Sequence, residues 1–290
     1  MKKIKDSRTA SFIVVALVYV LAGVVGYFTY DSLNFDVWLN LLIADVVATV
    51  VTFIFSLIFN NASVYDPYWS VQPIFIIVLF AIGKDLTLVR LLPIIAICLW
   101  GVRLTANWAY TFFGLNHQDW RYTMLKENTG VFYPIINFIG IHMVPTLVVY
   151  ACVLPAVYTM LLPLSYNVGS IIFFGVSILA VILQGVSDCQ MHHYKKNRNT
   201  PFIRLGLWKY ARHPNYLGEI LMWWGIGLAF VCAKPDMWYM LLGAFANTLL
   251  FVCVSLPMAE KKQAKKQGFS EYKLQTRYLL PIYKQQKRAS

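Results

Sequence analysis

Residues 209–225 read KYARHPNYLGEILMWWG. A basic turn interrupted by Pro214 runs straight into an apolar stretch, and Pro is well suited to the first turn of a helix. Asn215 and Glu219 lie four residues apart in that stretch, so a helix stacks them on one face, with Trp223 continuing the stripe. Ionisable groups in such surroundings are expensive unless they face one another or a wet cavity. The setting of this helix therefore decides the fold.

The rest of the chain has the same character. Of 290 residues, 59% are hydrophobic and 13% charged, and the apolar residues fall in several uninterrupted runs, the pattern of a polytopic membrane protein. Spans are expected near residues 11–30, 37–60, 68–83, 88–112, 134–162, 168–193, 216–233 and 237–256. The first has spanning length and lacks a small-residue cleavage site, so it reads as a retained helix rather than a signal peptide. The expected fold is all-α: about eight transmembrane helices in one integral membrane domain over 1–290. Within it, 11–162 form substrate-cavity helices and 168–290 a C-terminal cofactor-binding region.

The formal charge of +12 follows this layout. With both termini on the cytoplasmic side, the N-terminal tail and the 113–133, 194–215 and C-terminal segments hold 21 of the 25 Lys and Arg residues. That is positive-inside asymmetry, and it accounts for the basic balance without a nucleic-acid partner. Cys98, Cys152, Cys189, Cys232 and Cys253 form no CxxC pair and sit in or near apolar runs, as packing residues do. No histidine spacing matches a metal site, and no Walker-type loop, GxGxxG or serine elbow is present.

Helical spacing singles out three polar stripes. Gln184, Asp188, His192 and Lys195 follow one another on the sixth span, Arg103, Asn107 and Tyr110 on the fourth, and Asn215 and Glu219 on the seventh. All lie toward the expected cytoplasmic ends, beside basic loops, as a polar pocket open to the cytosol would require. VYDPYWS, residues 64–70, places Tyr65, Asp66, Tyr68 and Trp69 at the entry of the third span. Asp45 and His142 are read as structural, one with a packing partner and the other as a hydrogen-bonded core histidine.

GLWKYARHPNYLGEILMWWG (206–225) resembles the C-terminal signature of steroid 5-alpha-reductase-like membrane enzymes, above all their bacterial branch of mostly unassigned substrate. QGVSDCQMHHYKKN (184–197) and GFSEYKLQTRYLLPIY (268–283) extend the resemblance, which covers roughly the last 110 residues. It implies a seven-helix reductase-like core plus one extra N-terminal helix, in a bacterial inner membrane. It also implies NADPH, reached from the cytoplasm, and reduction of a carbon–carbon double bond conjugated to a ketone in an apolar, lipid- or steroid-like substrate drawn from the bilayer.

Carried over position by position, Asp188 and Lys195 correspond to acidic and basic cofactor contacts. Asn215 and Glu219 match the family's Asn-aromatic-Leu-Gly-Glu motif, which binds the nicotinamide half. Arg103 matches an arginine of the preceding catalytic helix. Asn107, Gln184, His192, Arg198, Arg212, His213, Tyr216 and Tyr272 complete the expected cofactor set, with guanidinium groups suited to phosphate. Asp66 sits where the family's acidic glutamate falls, and Tyr65 and Tyr68 accompany it as candidate proton donors. Trp100 occupies the position of the family's tyrosine, a departure that bears on the substrate.

Two other readings stay open. A related Arg-His-Pro stretch occurs in membrane methyltransferases that use S-adenosylmethionine on prenylated cysteine or phospholipid amines. Their tails carry a paired acidic motif, where LPMAEKKQAKKQG (256–268) offers only Glu260. The other is a lipid-binding relative that has lost catalysis. Oligomeric state has no signature in the sequence.

Overall fold

A computed structural model describes residues 2–280. The expected calls on Pro281, Ile282 and Tyr283 lie outside the described residues, as do the last basic residues of the tail. The fold is all-α, about 80% helical, with eight helical segments long and apolar enough to cross a membrane. The chain is an integral membrane protein. Among the described residues there is no β-strand, and Ala211 and Arg277 form an isolated parallel bridge.

By contact, the chain divides into two compact units, Met1–Arg90 with Ile97–Leu161, and Leu91–Ala96 with Leu162–Ser290. The first unit opens with α1 (Lys2–Asp6), α2 (Arg8–Ser32) and α3 (Val37–Ile58). Ser7 caps α2 by accepting from the Ala10 amide. Asn40 closes the α2–α3 turn by bonding the Phe35 amide and the Leu33 carbonyl. A 3₁₀ turn, Ala62–Val64, leads into α4 (Tyr68–Ala81), with Pro67 at the N-cap.

Next come α5 (Leu88–Thr111), which crosses both units, then α6 (Trp120–Thr129), α7 (Tyr133–Ile136) and α8 (Val144–Leu161). Gly101 of α5 meets α4 so closely that a Cβ would lie 2.5 Å from the Ser70 carbonyl oxygen. Only a residue without a Cβ fits there.

The second unit holds α9 (Val168–Lys196), α10 (Pro214–Ala233), α11 (Leu242–Leu250), α12 (Leu256–Gln263) and α13 (Phe269–Gln275). Asn167 caps α9 through the Ser170 amide and donates to the Cys232 carbonyl at the far end of α10. Gly218 and Gly225, seven residues apart on one face of α10, let α9 approach within a Cβ's reach: an added Cβ would lie 2.7 Å from the carbonyl oxygens of Ala180 and Phe173 respectively. Ser177 donates across this seam to the Met222 carbonyl, 3.0 Å away.

Three features differ from the expected layout. The 113–133 segment, expected as a loop, contains α6, whose start is capped by Asp119 on the Arg121 amide at 2.8 Å. Its polar composition hides it from a search for apolar runs. The fifth span passes through a π-helical stretch, Asn137–Met143, of the kind often found at functional sites. The eighth span continues through a second π stretch, Phe251–Ser255, into α12, so Glu260 stands on a helix and not in a tail.

Candidate functional site

In the first unit, α2, α3 and α4 line a half-open cavity of about 440 Å³. Small residues, Ala22, Gly23, Gly26, Ala44 and Ala48, make the space, and Tyr19, Tyr27, Tyr30, Tyr68, Phe75 and Phe80 supply aromatic wall. Its polar floor is Asp45. Gln72 Nε2 donates to Asp45 Oδ2 at 2.7 Å, and the Tyr68 hydroxyl lies 3.4 Å from Oδ1. Asp45 is 4% exposed, which makes it a carboxylate held inside an apolar bundle by two neutral donors. Its partners come from a different helix, and no spacing in the sequence announces them.

The three expected catalytic residues are neighbours in chain and diverge in space. Tyr68 lines the cavity. Tyr65 is buried, shares a 2.8 Å hydrogen bond with Thr146 of α8, and packs its ring 4.6 Å from that of His142. Asp66 Oδ1 accepts from the Tyr122 hydroxyl at 2.5 Å, tying the start of α4 to α6. Trp100 is fully buried, edge-on to Trp69. His142 donates from Nδ1 to the Asn137 carbonyl oxygen at 2.9 Å, as a core histidine does. On α5, Arg103 and Asn107 are half-buried, whereas Tyr110 is 50% exposed.

The second unit gathers most of the expected cofactor residues. Along α9, Gln184 is buried, Asp188 and His192 are half-buried, and Lys195 is exposed, so the stripe runs from core to surface. Facing α9 across the glycine seam, α10 places Asn215 and Glu219 near its N-terminus. Glu219 is 4% exposed and accepts from Trp223 Nε1 at 3.1 Å. The Asn215 side-chain oxygen is buried and has no hydrogen-bond partner among the described residues. A buried carbonyl oxygen left in that state costs about 1–3 kcal/mol, so it is an acceptor waiting for a donor.

Arg212, expected to meet phosphate, and His213, expected among the cofactor contacts, are turned inward. Arg212 Nε and His213 Nε2 both reach Glu260 Oε1, at 2.9 and 2.8 Å, and all three side chains are nearly buried. Arg212 also donates to the carbonyls of Lys273 and Thr276, and its backbone amide to that of Arg277. The His213 ring stacks on Tyr216 at 5.3 Å and meets Tyr278 edge-on. Tyr272, the other expected contact, is buried against Phe202 and Phe269 and donates to the Trp208 carbonyl; burial raises its phenol well above the ordinary value. These four residues fasten the segment after α12 onto the basic turn.

Cations that remain free to face a ligand gather at the surface instead. The Phe202–Phe269–Tyr272 cluster and an Arg204 hydrogen bond to the Gly268 carbonyl bring the loop after α9 against the start of α13. That places Lys195 and Arg198 beside Lys266. Burial, followed by the charges of Arg198 and Lys195, pushes the Lys266 ammonium below its ordinary value.

Two features of this arrangement had no strong sequence signal. Glu260 was visible as the lone acid in a basic stretch, yet its bond to Arg212 spans 48 positions. Tyr122 and Asp66 are 56 apart, and nothing in either local sequence points to the other.

Residues 52–276 match the family described as a protein of unknown function, DUF1295. The chain belongs to the DUF1295 family. This family includes steroid 5-alpha-reductase-like proteins. Among curated proteins, this DUF1295 chain is similar to an uncharacterised protein of Schizosaccharomyces pombe, 24% identical over 225 residues, which cover 65% of each chain. The chain thus spans slightly less than two thirds of that relative's length. No solved structure matches it. The family's matched region contains the cavity floor from Gln72 onward, the α9–α10 pair and the Glu260 clamp, whereas Asp45 precedes it.

Proposed function

We propose that this DUF1295 protein is a membrane-embedded, NADPH-dependent oxidoreductase acting on CH–CH groups, which reduces a carbon–carbon double bond conjugated to a ketone in an apolar substrate. The observation that carries the reading is the α9–α10 pair. There a stripe of Gln184, Asp188, His192 and Lys195 faces a helix whose Asn215 oxygen is buried without a partner. The donor set fits a dinucleotide. Asn215 accepts from a carboxamide, Glu219 and Asp188 accept from hydroxyl or amide groups, and Lys195, Arg198 and Lys266 neutralise phosphate.

NADPH, when bound, supplies the hydride. The chain's own residues do the rest. The largely apolar wall of the first unit's cavity suits an apolar substrate, which, once seated there, displaces water from the polar floor. Negative charge developing on the ketone oxygen is met by a hydroxyl donor, and of Tyr65, Asp66 and Tyr68 the one that lines the cavity is Tyr68. Its 3.4 Å separation from Asp45 is long for a hydrogen bond between oxygens, so the hydroxyl can turn to a ligand at small cost. Asp66 and Tyr65 then act as positioning residues, anchoring the α4 entrance to α6 and α8. Arg212, His213, Tyr216 and Tyr272 hold the basic turn in place, and the cofactor face lies on the cytoplasmic side of a bacterial inner membrane.

The test is the melting temperature of detergent-purified protein with NADPH, NADH or S-adenosylmethionine added separately. A ligand at a hundred times its Kd stabilises the state it binds by about 2.7 kcal/mol. A shift with NADPH supports the reading and opens a screen of enones. A shift with S-adenosylmethionine alone overturns it in favour of a methyltransferase.

A further inference from the structure

Asp45 lies in the middle of a membrane-spanning helix, buried, and no Lys, Arg or His among the described residues forms an ion pair with it. Ionisable groups so placed are costly and mark substrate or ion pathways by default. Its two partners are neutral, and each donates a hydrogen bond to the carboxylate, Gln72 from Nε2 and Tyr68 from its hydroxyl. What this cluster still offers to the cavity is chiefly acceptor capacity, the remaining lone pairs of Asp45, the Gln72 amide oxygen and the Tyr68 oxygen, beside one further Gln72 N–H. The cavity wall around it is aromatic, with faces that attract a cation.

We infer that this cavity recognises an apolar ligand through a hydrogen-bond donor on its body, a hydroxyl or a protonated amine, received by Asp45 and Gln72. A purely apolar ligand would leave the carboxylate as costly as before. A ligand whose one polar atom is an acceptor could take only the Tyr68 hydroxyl or the second Gln72 N–H, and would leave the carboxylate uncompensated. A donor completes the site, and a charged donor also compensates the carboxylate. Lys84 lines the same cavity beyond the end of α4 and forms no ion pair with Asp45, so the compensation is left to the ligand. The recognition goes beyond the reductase reading and does not depend on it, because it concerns a group other than the reacting carbonyl.

Binding decides it without turnover. Adamantanamine, adamantanol, adamantanone and adamantane share one skeleton small enough for the cavity. Each is titrated calorimetrically into the full chain in nanodiscs, with empty nanodiscs subtracting partition into lipid. The amine and the alcohol are expected to bind saturably and at least about tenfold more tightly than the ketone, and the hydrocarbon to partition as in empty discs. Asp45→Asn is expected to weaken the amine about ten- to a hundredfold and the alcohol less, since a neutral acceptor replaces a charged one. Amine binding stronger than alcohol identifies a cationic ligand, and equal binding identifies a hydroxyl ligand; both uphold the donor requirement. Ketone binding as strong as alcohol in the wild type, or binding of none of the four, overturns it, and this arm needs no variant to fold. A missing NADPH shift alongside donor-selective binding would sink the reductase reading and leave this one standing.

Discussion

Gly218 of α10 faces the carbonyl of Ala180 on α9 so closely that an added Cβ would lie 2.7 Å from the oxygen, and 2.5 Å from Gln184 Cγ. Backbone cannot retreat as a flexible side chain can. Gly218→Val is therefore expected to spread the helix pair and destabilise the protein by at least about 3 kcal/mol, at the upper end of overpacking effects. The check is detergent-solubilised melting temperature, with Gly185→Ala as a control where an added Cβ meets nothing within 4 Å.

Glu260 is the shared acceptor of two inward-turned bases. Removing it leaves Arg212 buried and short of its partner, a loss of about 3–5 kcal/mol for a buried pair. Glu260→Ala should thus expose the segment after α12 to limited proteolysis, whereas Glu260→Gln, which keeps an acceptor oxygen, should protect it partly. Equal cleavage of wild type and Glu260→Ala would show that the clamp contributes nothing.

Tyr68 and Asp66 are predicted to separate in their effects. Tyr68→Phe should lower the turnover of any enone identified by about a hundredfold, the lower range for loss of a transition-state donor, while leaving the NADPH-induced melting shift intact. Asp66→Asn keeps an acceptor for Tyr122 and should retain most activity; Asp66→Ala should loosen α6, read as faster amide exchange over residues 120–129. Abolished turnover in Asp66→Asn with a normal melting temperature would return Asp66 to a catalytic role.

Lys195, Arg198 and Lys266 converge from two segments through the Phe202–Phe269–Tyr272 contact. Lys266→Gln is expected to weaken NADPH by about five- to tenfold and NADH much less, because one cation fewer faces phosphate. The ratio of the two dissociation constants is the measurement, and an unchanged ratio would place the phosphate elsewhere.

Asn215→Ala removes the buried oxygen that lacks a partner. It should cost little stability, since that oxygen contributes no internal hydrogen bond, yet it should weaken the NADPH shift. A large loss of melting temperature without ligand would instead reveal a structural asparagine.

Hydropathy and helical spacing were enough to determine that the chain is a helical membrane protein, where its eight spans fall, and that Asn215, Glu219, Asp188 and Gln184 belong to polar faces. Those properties depend on residues within a few turns of one another. Tertiary structure alone decided which of those groups have partners. Asp45 meets Tyr68 and Gln72 across 23 and 27 positions, Asp66 meets Tyr122 across 56, and Arg212 meets Glu260 across 48. A buried charge is a cost until its partner is known, and the partner is set by which helix packs beside it. That is why Asp45 reads in the sequence as a lone structural acid and in the fold as the floor of a cavity. For the same reason Arg212 reads as a phosphate ligand and His213 as a cofactor contact in the sequence, whereas in the fold both hold Glu260.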